Sequence, residues 1–381
     1  MKNLKKWVAL TVALTGVAAF GKPAFANQFN FSVKAILPEN QASKASYFDL
    51  LMTPGQEQTL TVELSNSTDK TVTVEQGLAS ATTNLNGVVE YSPNKIKPDA
   101  SLKYNMKDYV KLDKEIVLAP KTTKTVKINA KMPNSAFKGY MAGGLTYKEK
   151  SSEEKTTDTK GISIQNEYAY VVALLMSQSQ DKVKPDLKLT KVSPDQVNYR
   201  NVINANLQNP TMGYLNQMQL SATVKGLDNP KIEYKSSKEM MQMAPNSNFD
   251  YPISLDGEKL QAGKYQIKML VHGQKDENGK YLVKDDKGNE TRYRYEWTFT
   301  KDFEIAADRA RELNKKDVTI KEDNSWIKWL ILALILLLLI FILFFILWKR
   351  RKKEEDEKAA RIAELEQKLN EKEKLKTIGR F

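Results

Sequence analysis

An uninterrupted apolar segment near the C-terminus constrains the fold of this chain more than any other feature. The segment runs from Trp329 to Trp348 without a charged residue. As a helix it spans about 30 Å, which matches the hydrocarbon core of a bilayer. Tryptophan side chains stand at both ends, where indole rings settle at a membrane interface. The sequence therefore predicts a transmembrane helix, which we place at residues 327–348.

Basic residues set the predicted orientation of this helix. A run from Lys349 to Lys353 follows it directly, and positively charged flanks of membrane helices stay in the cytoplasm. The N-terminus combines lysines, an apolar run and the small-x-small pattern Ala24-Phe25-Ala26, which indicates a cleaved export signal over residues 1–26. We therefore expect residues 27–325 outside the cell membrane, one crossing, and a cytoplasmic tail over residues 349–381.

The basic net charge follows mainly from this topology. Of the net charge of +13, +4 belongs to the export signal and +4 to residues 349–381, which leaves +5 for the rest of the chain. A charge of this size, spread over residues 27–348, identifies no basic face. We therefore expect no nucleic-acid partner.

Residue types that serve catalysis are scarce. The chain has no cysteine and one histidine, His272, so thiol chemistry and multi-histidine metal sites are excluded. We interpret His272 as an exposed residue at a strand end, because no serine or carboxylate around it stands in a recognisable nucleophile context. Two acidic stretches, KDENGK and VKDDKGNE, are interrupted by lysine and predict hairpin turns rather than calcium loops. We predict no catalytic residue, no metal site and no cofactor.

Short runs of alternating apolar and polar residues fill the chain between the two apolar ends. A period of two is typical of half-buried strands, and turn residues separate the runs. Clear examples are Leu60 to Leu64, Val126 to Met132, Met218 to Val224 and Tyr265 to Val271. This regular succession predicts an immunoglobulin-like β-sandwich in each half of the outer region.

A polar stretch with a proline, Ser177 to Asp186, separates the two halves. We place the first domain at residues 27–180, the second at 185–305, and a charged juxtamembrane stalk at 306–325. Charged pairs four residues apart predict a solvated helix in the tail. The predicted fold class is mainly β, with two extracellular immunoglobulin-like β-sandwich domains, one transmembrane α-helix and a short charged cytoplasmic helix.

The stretch after the first predicted strand combines polar and aromatic side chains. Aromatic faces stack on sugar rings, and amide side chains donate and accept hydrogen bonds. Two hypotheses remain open, a glycan-binding rim and a loop that covers a sandwich edge. The candidate residues for glycan or partner binding are Glu39, Asn40, Gln41, Tyr47, Phe48 and Asp49.

A methionine cluster in the second half provides another candidate surface. Exposed methionines adapt to protein partners and buried ones fill gaps in a core, and both hypotheses remain open. The candidate residues for a protein interface are Met240, Met241, Met243, Asn246 and Phe249.

The order of short motifs along the chain resembles that of the WxL-interacting proteins, surface proteins of low-GC Gram-positive bacteria. The resemblance covers roughly residues 29–305 and continues into the apolar segment and the basic tail. The motifs in the first half are Pro38-Glu39-Asn40-Gln41, Tyr47-Phe48-Asp49-Leu50, Pro54-Gly55-Gln56, Asn66, Asn84-x-Asn86-Gly87, Tyr91 and Gly143-Gly144. The motifs in the second half are Met243-Ala244-Pro245-Asn246-Ser247, Phe249 and Ala262-Gly263-x-Tyr265.

This resemblance implies a first domain that binds peptidoglycan and a second that binds host proteins, with extracellular-matrix proteins among its expected ligands. It also implies partnership with WxL-domain surface proteins. The expected function is that of a non-catalytic surface anchor and adhesion protein. Two alternatives stay open, a cell-wall glycosidase that acts through paired carboxylates and a membrane sensor that signals through the basic tail.

Overall fold

The computed structural model describes residues 30–150, 168–285, 287–320 and 325–378. The export signal predicted for residues 1–26 lies outside these ranges. The chain divides into two compact units, one that ends at Val318 and one that begins at Thr319. Each unit is described by itself.

The first β-sandwich closes around a core of alternating apolar side chains. Its elements are β1 (Phe31–Ile36), β2 (Phe48–Leu51), β3 (Glu57–Asn66), β4 (Val72–Ser80), β5 (Thr82–Thr83), β6 (Val89–Glu90), α1 (Met106–Tyr109), β7 (Val110–Lys111), β8 (Glu115–Leu118), β9 (Thr123–Lys131), β10 (Met141–Glu149) and β11 (Ala169–Ser177). One sheet has the order β1-β3-β9-β7 and the other β2-β11-β10-β4-β8, with β5 and β6 as a separate pair. The predicted alternation from Leu60 to Leu64 is confirmed, since every second side chain is buried in this core.

The second β-sandwich has the same style with longer strands. Its elements are β12 (Lys188–Val197), β13 (Arg200–Asn209), β14 (Leu215–Gly226), β15 (Glu233–Met243), β16 (Ser247–Ser254), β17 (Gly263–Lys275), β18 (Tyr281–Lys284), β19 (Glu290–Ile305) and α2 (Ala307–Lys316). The sheets have the orders β12-β13-β16 and β15-β14-β17-β19-β18. The predicted alternations from Met218 to Val224 and from Tyr265 to Val271 both supply core residues.

Helix α2 packs onto the second sandwich and does not begin a free stalk, as the sequence led us to expect from residue 306. Ala310 and Leu313 are buried in the core of that sandwich. Just beyond the helix, the Asp317 carboxylate accepts a hydrogen bond from the backbone N–H of Asn201 at 2.7 Å. The second sandwich therefore continues past residue 305. The prediction missed this because an apolar stripe this thin, within a strongly charged segment, resembles a solvated helix.

The second unit contains helix α3 (Ser325–Ile378). Its stretch from Trp326 to Asn370 includes a window with a mean hydropathy of 3.7, none of which is buried inside the protein. Length and composition make it a candidate membrane span, in agreement with the helix predicted at residues 327–348. The charged residues after Trp348 continue the same helix.

Candidate functional site

The polar stretch after β1 folds back over one edge of β2. The N–H of Ala42 donates to the carbonyl of Asp49 at 2.6 Å, and the N–H of Leu51 donates to the carbonyl of Asn40 at 3.1 Å. The opposite edge of β2 pairs with β11 in parallel. The stretch therefore occupies backbone groups that an edge strand would otherwise expose, which favours the edge-cover hypothesis.

Two of the candidate amides stabilise this loop. The Asn40 side chain donates to the Gln58 side chain at 2.8 Å and to a backbone carbonyl at 3.0 Å. The Gln41 side chain donates to the carbonyl of Tyr47 and accepts from the N–H of Asp49. Their hydrogen-bonding groups are engaged within the protein, so a structural role explains both residues.

The other candidates on this stretch point in different directions. Phe48 is fully buried in the core of the first sandwich. Its neighbours Tyr47 and Asp49 line a cleft against the second sandwich instead, because successive side chains of a strand face opposite sides. Glu39 is exposed to solvent. Of the six candidates, Tyr47 and Asp49 are the two whose side chains line this cleft.

The two sandwiches meet at a junction with a small apolar cluster of its own. Ala81, Ala142 and Leu175 of the first sandwich pack with Ala244 of the second. Half-buried aromatic side chains pack around this cluster, namely Tyr47, Tyr91, Tyr140 and Tyr214. Small residues in the centre let the two backbones approach closely.

Buried hydroxyl groups lie beside this cluster. The hydroxyl oxygens of Thr83 and Ser247 are 2.7 Å apart, and Thr83 also accepts a hydrogen bond from the N–H of Ala244 at 3.0 Å. The three groups connect β5 of the first sandwich with the start of β16 in the second. Ser247 also donates to the Ala244 carbonyl at 2.8 Å within the second sandwich, so these buried polar groups are satisfied together at the junction.

Asp99 is the charged centre of the junction. Its carboxylate accepts hydrogen bonds from Gln208 at 2.9 and 3.0 Å and from Asn248 at 2.6 Å, both in the second sandwich. Ser101 donates to the same carboxylate from its N–H and its hydroxyl group. Burial alone would raise the pKa of Asp99, but the bonds from Ser101, Asn248 and Gln208 outweigh it and hold the pKa below its usual value.

Glycine allows closest approach of the two sandwiches at two positions. Gly139 has a φ of +97°, and a Cβ atom there would lie 2.5 Å from the carbonyl oxygen of Met212 in the second sandwich. Gly87 has a φ of +65° and its carbonyl accepts from the N–H of Gln242 at 2.6 Å. A Cβ atom at Gly87 would meet Met241 at 2.8 Å.

A cleft of about 530 Å³ opens beside the junction. We call it the junction cleft and define it by the residues Tyr47, Asp49, Tyr91, Tyr140, Tyr214 and Tyr295. Its volume lies within the range of about 300–1,000 Å³ that is typical of ligand pockets. Both sandwiches contribute walls, so the cleft depends on how they are docked.

Tyrosine side chains give the junction cleft its chemistry. The hydroxyl oxygens of Tyr91 and Tyr214 are 3.1 Å apart across the junction, and the ring centroids of Tyr140 and Tyr214 are 5.9 Å apart. Burial raises the pKa of Tyr214 well above its usual value. Burial and then the nearby charge of Asp49 raise the pKa of Tyr140. These hydroxyl groups therefore stay protonated at neutral pH, and one proton of the Tyr91–Tyr214 pair is used in the hydrogen bond between the two residues.

The methionine cluster does not form one exposed surface. Met240 is 62% exposed, whereas Met241 and Met243 are buried. Phe249 belongs to the core of the second sandwich. Asn246 is buried and donates a hydrogen bond to the first sandwich at 3.3 Å. The sequence predicted either a protein-binding surface or gap-filling core residues here, and it could not show that part of the segment lies at the junction of the two sandwiches.

His272 is buried, and the expectation of an exposed residue at a strand end is wrong. It is 6% exposed within β17, and its Nε2 lies 2.9 Å from the Glu296 carboxylate on β19. The neighbouring strand supplies the partner that buries it, which the sequence could not show. Among the residues that the structure describes, no group of three or more His, Asp or Glu side chains is placed to hold a metal ion.

Comparison with known proteins identifies two family models that match the chain. The model of the WxL Interacting Protein, peptidoglycan binding domain, matches residues 31–149, and that of the host binding domain matches residues 159–315. No curated protein sequence matches the chain.

Solved structures with similarity to the chain include several fimbrial chaperones. The E. coli chaperone DraB is 18% identical, with coverage of 72% of this chain and 97% of that chain and a TM-score of 0.26. The Pseudomonas aeruginosa CupB2 chaperone is 12% identical, with coverage of 67% and 97% and a TM-score of 0.24. The class 5 fimbriae chaperone CfaA is 9% identical, with coverage of 69% and 99% and a TM-score of 0.26.

Proposed function

Because this chain belongs to the WxL-interacting protein family, we propose that it is a non-catalytic surface protein that binds peptidoglycan and proteins outside the cell membrane. The first sandwich contacts the wall polymer, and the second contacts host extracellular-matrix proteins. WxL-domain surface proteins are its partners at the cell surface. Helix α3 anchors the protein, with the sandwiches outside and the charged tail in the cytoplasm.

The junction cleft is the observation that carries this proposal. Its wall contains two of the six candidate residues of the sequence-predicted rim, Tyr47 and Asp49, together with four further tyrosines. Tyrosine rings offer apolar faces for the faces of sugar rings and hydroxyl groups for polar substituents. A polymer fragment of one or two units therefore has both kinds of contact available in one place.

One carboxylate of the junction cleft, that of Asp276, is unsuited to the general-acid role that the glycosidase alternative requires. A glycosidase needs one carboxylic acid that stays protonated near neutral pH. Asp276, which also lines the cleft, pairs with the Arg294 guanidinium. The backbone N–H of Asn278 and this guanidinium hold the pKa of Asp276 below its usual value, so this carboxyl group is not a general acid.

Sedimentation of the full-length chain in detergent with insoluble peptidoglycan tests the proposal. We expect binding that persists at high salt, because the small net charge of the outer region is screened there. Release of soluble sugars from the wall would favour the glycosidase alternative. Absence of binding at every salt concentration would contradict the proposed function.

Tyr47→Ala tests whether the cleft is the contact surface. Loss of one aromatic face is expected to weaken wall binding about 2- to 10-fold, which corresponds to about 0.5–1.5 kcal/mol for an aromatic contact. Tyr199→Ala is the matched control, since Tyr199 is 70% exposed in the second sandwich and does not line the cleft. Equal binding by both variants and the wild type, with unchanged thermal unfolding, would place the wall contact elsewhere.

A further inference from the structure

Asp49 has a buried carboxylate that the fold satisfies on one side only. The side chain is 7% exposed, and its Oδ2 accepts a hydrogen bond from the Ser43 hydroxyl at 2.6 Å. Within the part of the chain that the structure describes, its Oδ1 has no hydrogen-bond partner. A carboxylate removed from water is unfavourable unless a donor or an opposite charge faces it. The orphaned oxygen belongs to a residue that lines the junction cleft, which indicates a ligand group as its missing partner.

The charges around the cleft are unequally distributed between its two walls. On the first sandwich, Asp49 lines the cleft together with tyrosines, and among the described residues no lysine or arginine forms an ion pair with it. The opposite wall carries Lys182, Lys275 and Arg294. Of these cations, Arg294 is paired with Asp276. One end of the cleft is thus anionic and aromatic, and the other has cationic side chains.

We propose that the junction cleft binds an amine-bearing peptide whose ammonium group pairs with the Asp49 carboxylate. The surrounding tyrosine faces attract the same cation through their ring quadrupoles. A carboxylate of the peptide then faces Lys182, in the segment between the sandwiches, and Lys275 of the second sandwich. This inference rests on the proposed function, because free amino groups and carboxylates occur in the peptide part of peptidoglycan and not in its sugar chain.

An amine fits this position better than a sugar hydroxyl group. A hydroxyl donor supplies one hydrogen bond but leaves the buried negative charge uncompensated. An ammonium group supplies the bond together with the opposite charge, and a charge-assisted bond is roughly twice as strong as a neutral one. The separation of charges along the cleft also matches a peptide that carries both an amine and a carboxylate. A neutral oligosaccharide has no charged group that could pair with either end of the cleft.

The test measures binding of the synthetic peptide N-acetyl-Ala-γ-Glu-Lys, whose one free amine is the lysine Nε, and of its Nε-acetylated form to the full-length chain in detergent. We expect the wild type to bind the free amine at least 10-fold more tightly than the acetylated peptide. Asp49→Asn should lose this preference and bind both forms equally weakly, because the two changes remove the same contact. Glu39→Gln is the matched control, since it removes an exposed carboxylate from the same loop and should behave as the wild type.

Thermal unfolding separates loss of the contact from loss of the fold. Asp49→Asn is nearly isosteric, keeps an oxygen that can accept from Ser43 and removes the buried charge, so its unfolding temperature should equal or exceed that of the wild type. A lower unfolding temperature together with lost binding would assign Asp49 a structural role and overturn the inference. Equal binding of free and acetylated peptide by the wild type, or no binding of either, would overturn it as well.

Insoluble peptidoglycan keeps this inference distinguishable from the proposed function. Acetylation of the free amino groups of the wall should weaken its binding to the wild type and leave binding to Asp49→Asn unchanged. If the wild type binds native and acetylated wall equally, the amine inference fails and the proposed function stands. Binding of chito-oligosaccharide that depends on Asp49 would replace the peptide with the glycan as ligand. If the wild type does not bind native wall, the proposed function itself fails.

Discussion

Gly139→Ala is expected to destabilise the unit formed by the two sandwiches by about 3 kcal/mol, from backbone strain and overpacking together. Gly139 has a φ of +97°, where a side chain is disfavoured, and the new Cβ would lie 2.5 Å from the Met212 carbonyl oxygen. That carbonyl also accepts the N–H of Tyr140 at 2.9 Å. Relief of the clash must therefore move β10 away from the second sandwich and disturb the tyrosines of the junction cleft.

Gly288→Ala is the matched control for this substitution. Gly288 has a φ of +83°, but a Cβ atom there meets nothing within 4 Å. The Gly288→Ala substitution should therefore lower the unfolding temperature only through backbone strain. Calorimetric unfolding of both variants isolates the contribution of the contact with Met212. Equal decreases in unfolding temperature for the two variants would show that the close contact of Gly139 with the second sandwich does not contribute to stability.

Asp99→Ala should lower the free energy of unfolding by about 3 kcal/mol at neutral pH. The substitution removes the acceptor that Gln208 and Asn248 share across the junction, so two partly buried amide groups of the second sandwich lose this partner. The pKa of Asp99 is held below its usual value. A carboxyl group with a lowered pKa stabilises the fold fully above the pKa of the unfolded chain, about 3.9, and this contribution disappears as the pH falls through the lower folded-state value.

The destabilisation caused by Asp99→Ala should depend on pH in a way that identifies the carboxylate as its source. The difference in unfolding temperature between the wild type and Asp99→Ala should be largest from pH 5 to 7 and should shrink as the pH falls below about 4. Asp113→Ala serves as the control, because Asp113 is an exposed aspartate in the first sandwich. A difference that stays constant down to low pH, or that Asp113→Ala reproduces, would contradict the account of the junction.

The strands and the membrane segment were predictable because their signals are local. Alternation of apolar residues is set by the pleat of a strand, so Leu60 to Leu64 and Tyr265 to Val271 identify core faces without knowledge of their neighbours. The apolar segment from Trp329 likewise needs only its own length and composition. The sequence did not predict that helix α2 packs onto the second sandwich. This packing depends on two buried side chains, and two residues form no recognisable helical pattern of apolar positions.

The junction was not predictable, since it joins segments that lie far apart along the chain. Gly87 and Gln242 are hydrogen-bonded across it, and each reads in isolation as part of an ordinary turn or strand. The motifs that carried the family resemblance include Asn84-x-Asn86-Gly87, Tyr91 and Met243 to Ser247, and in the structure all of these lie at the junction. Their order was recognisable from the sequence, but their role in docking the sandwiches needed the fold.

The candidate site was likewise predicted only in part from the sequence. The sequence identified Tyr47 and Asp49, because polar and aromatic residues follow a strand that they do not continue. It also included Asn40, Gln41 and Phe48, which the structure assigns to the loop and the core. The sequence did not identify Tyr140 and Tyr214. Each is a single aromatic residue beside a glycine in the sequence, and the two rings come into contact only in the folded chain.

Amide hydrogen exchange of the full-length chain, with and without soluble peptidoglycan fragments, tests the central claim most directly. A ligand in the junction cleft should slow exchange in both sandwiches at once, around Asp49 and Tyr140 in the first and around Tyr214 and Gln274 in the second. The remote sheet of β1, β3 and β9 should exchange at its original rate. Protection confined to one sandwich, or centred on that remote sheet, would contradict a binding site built by both.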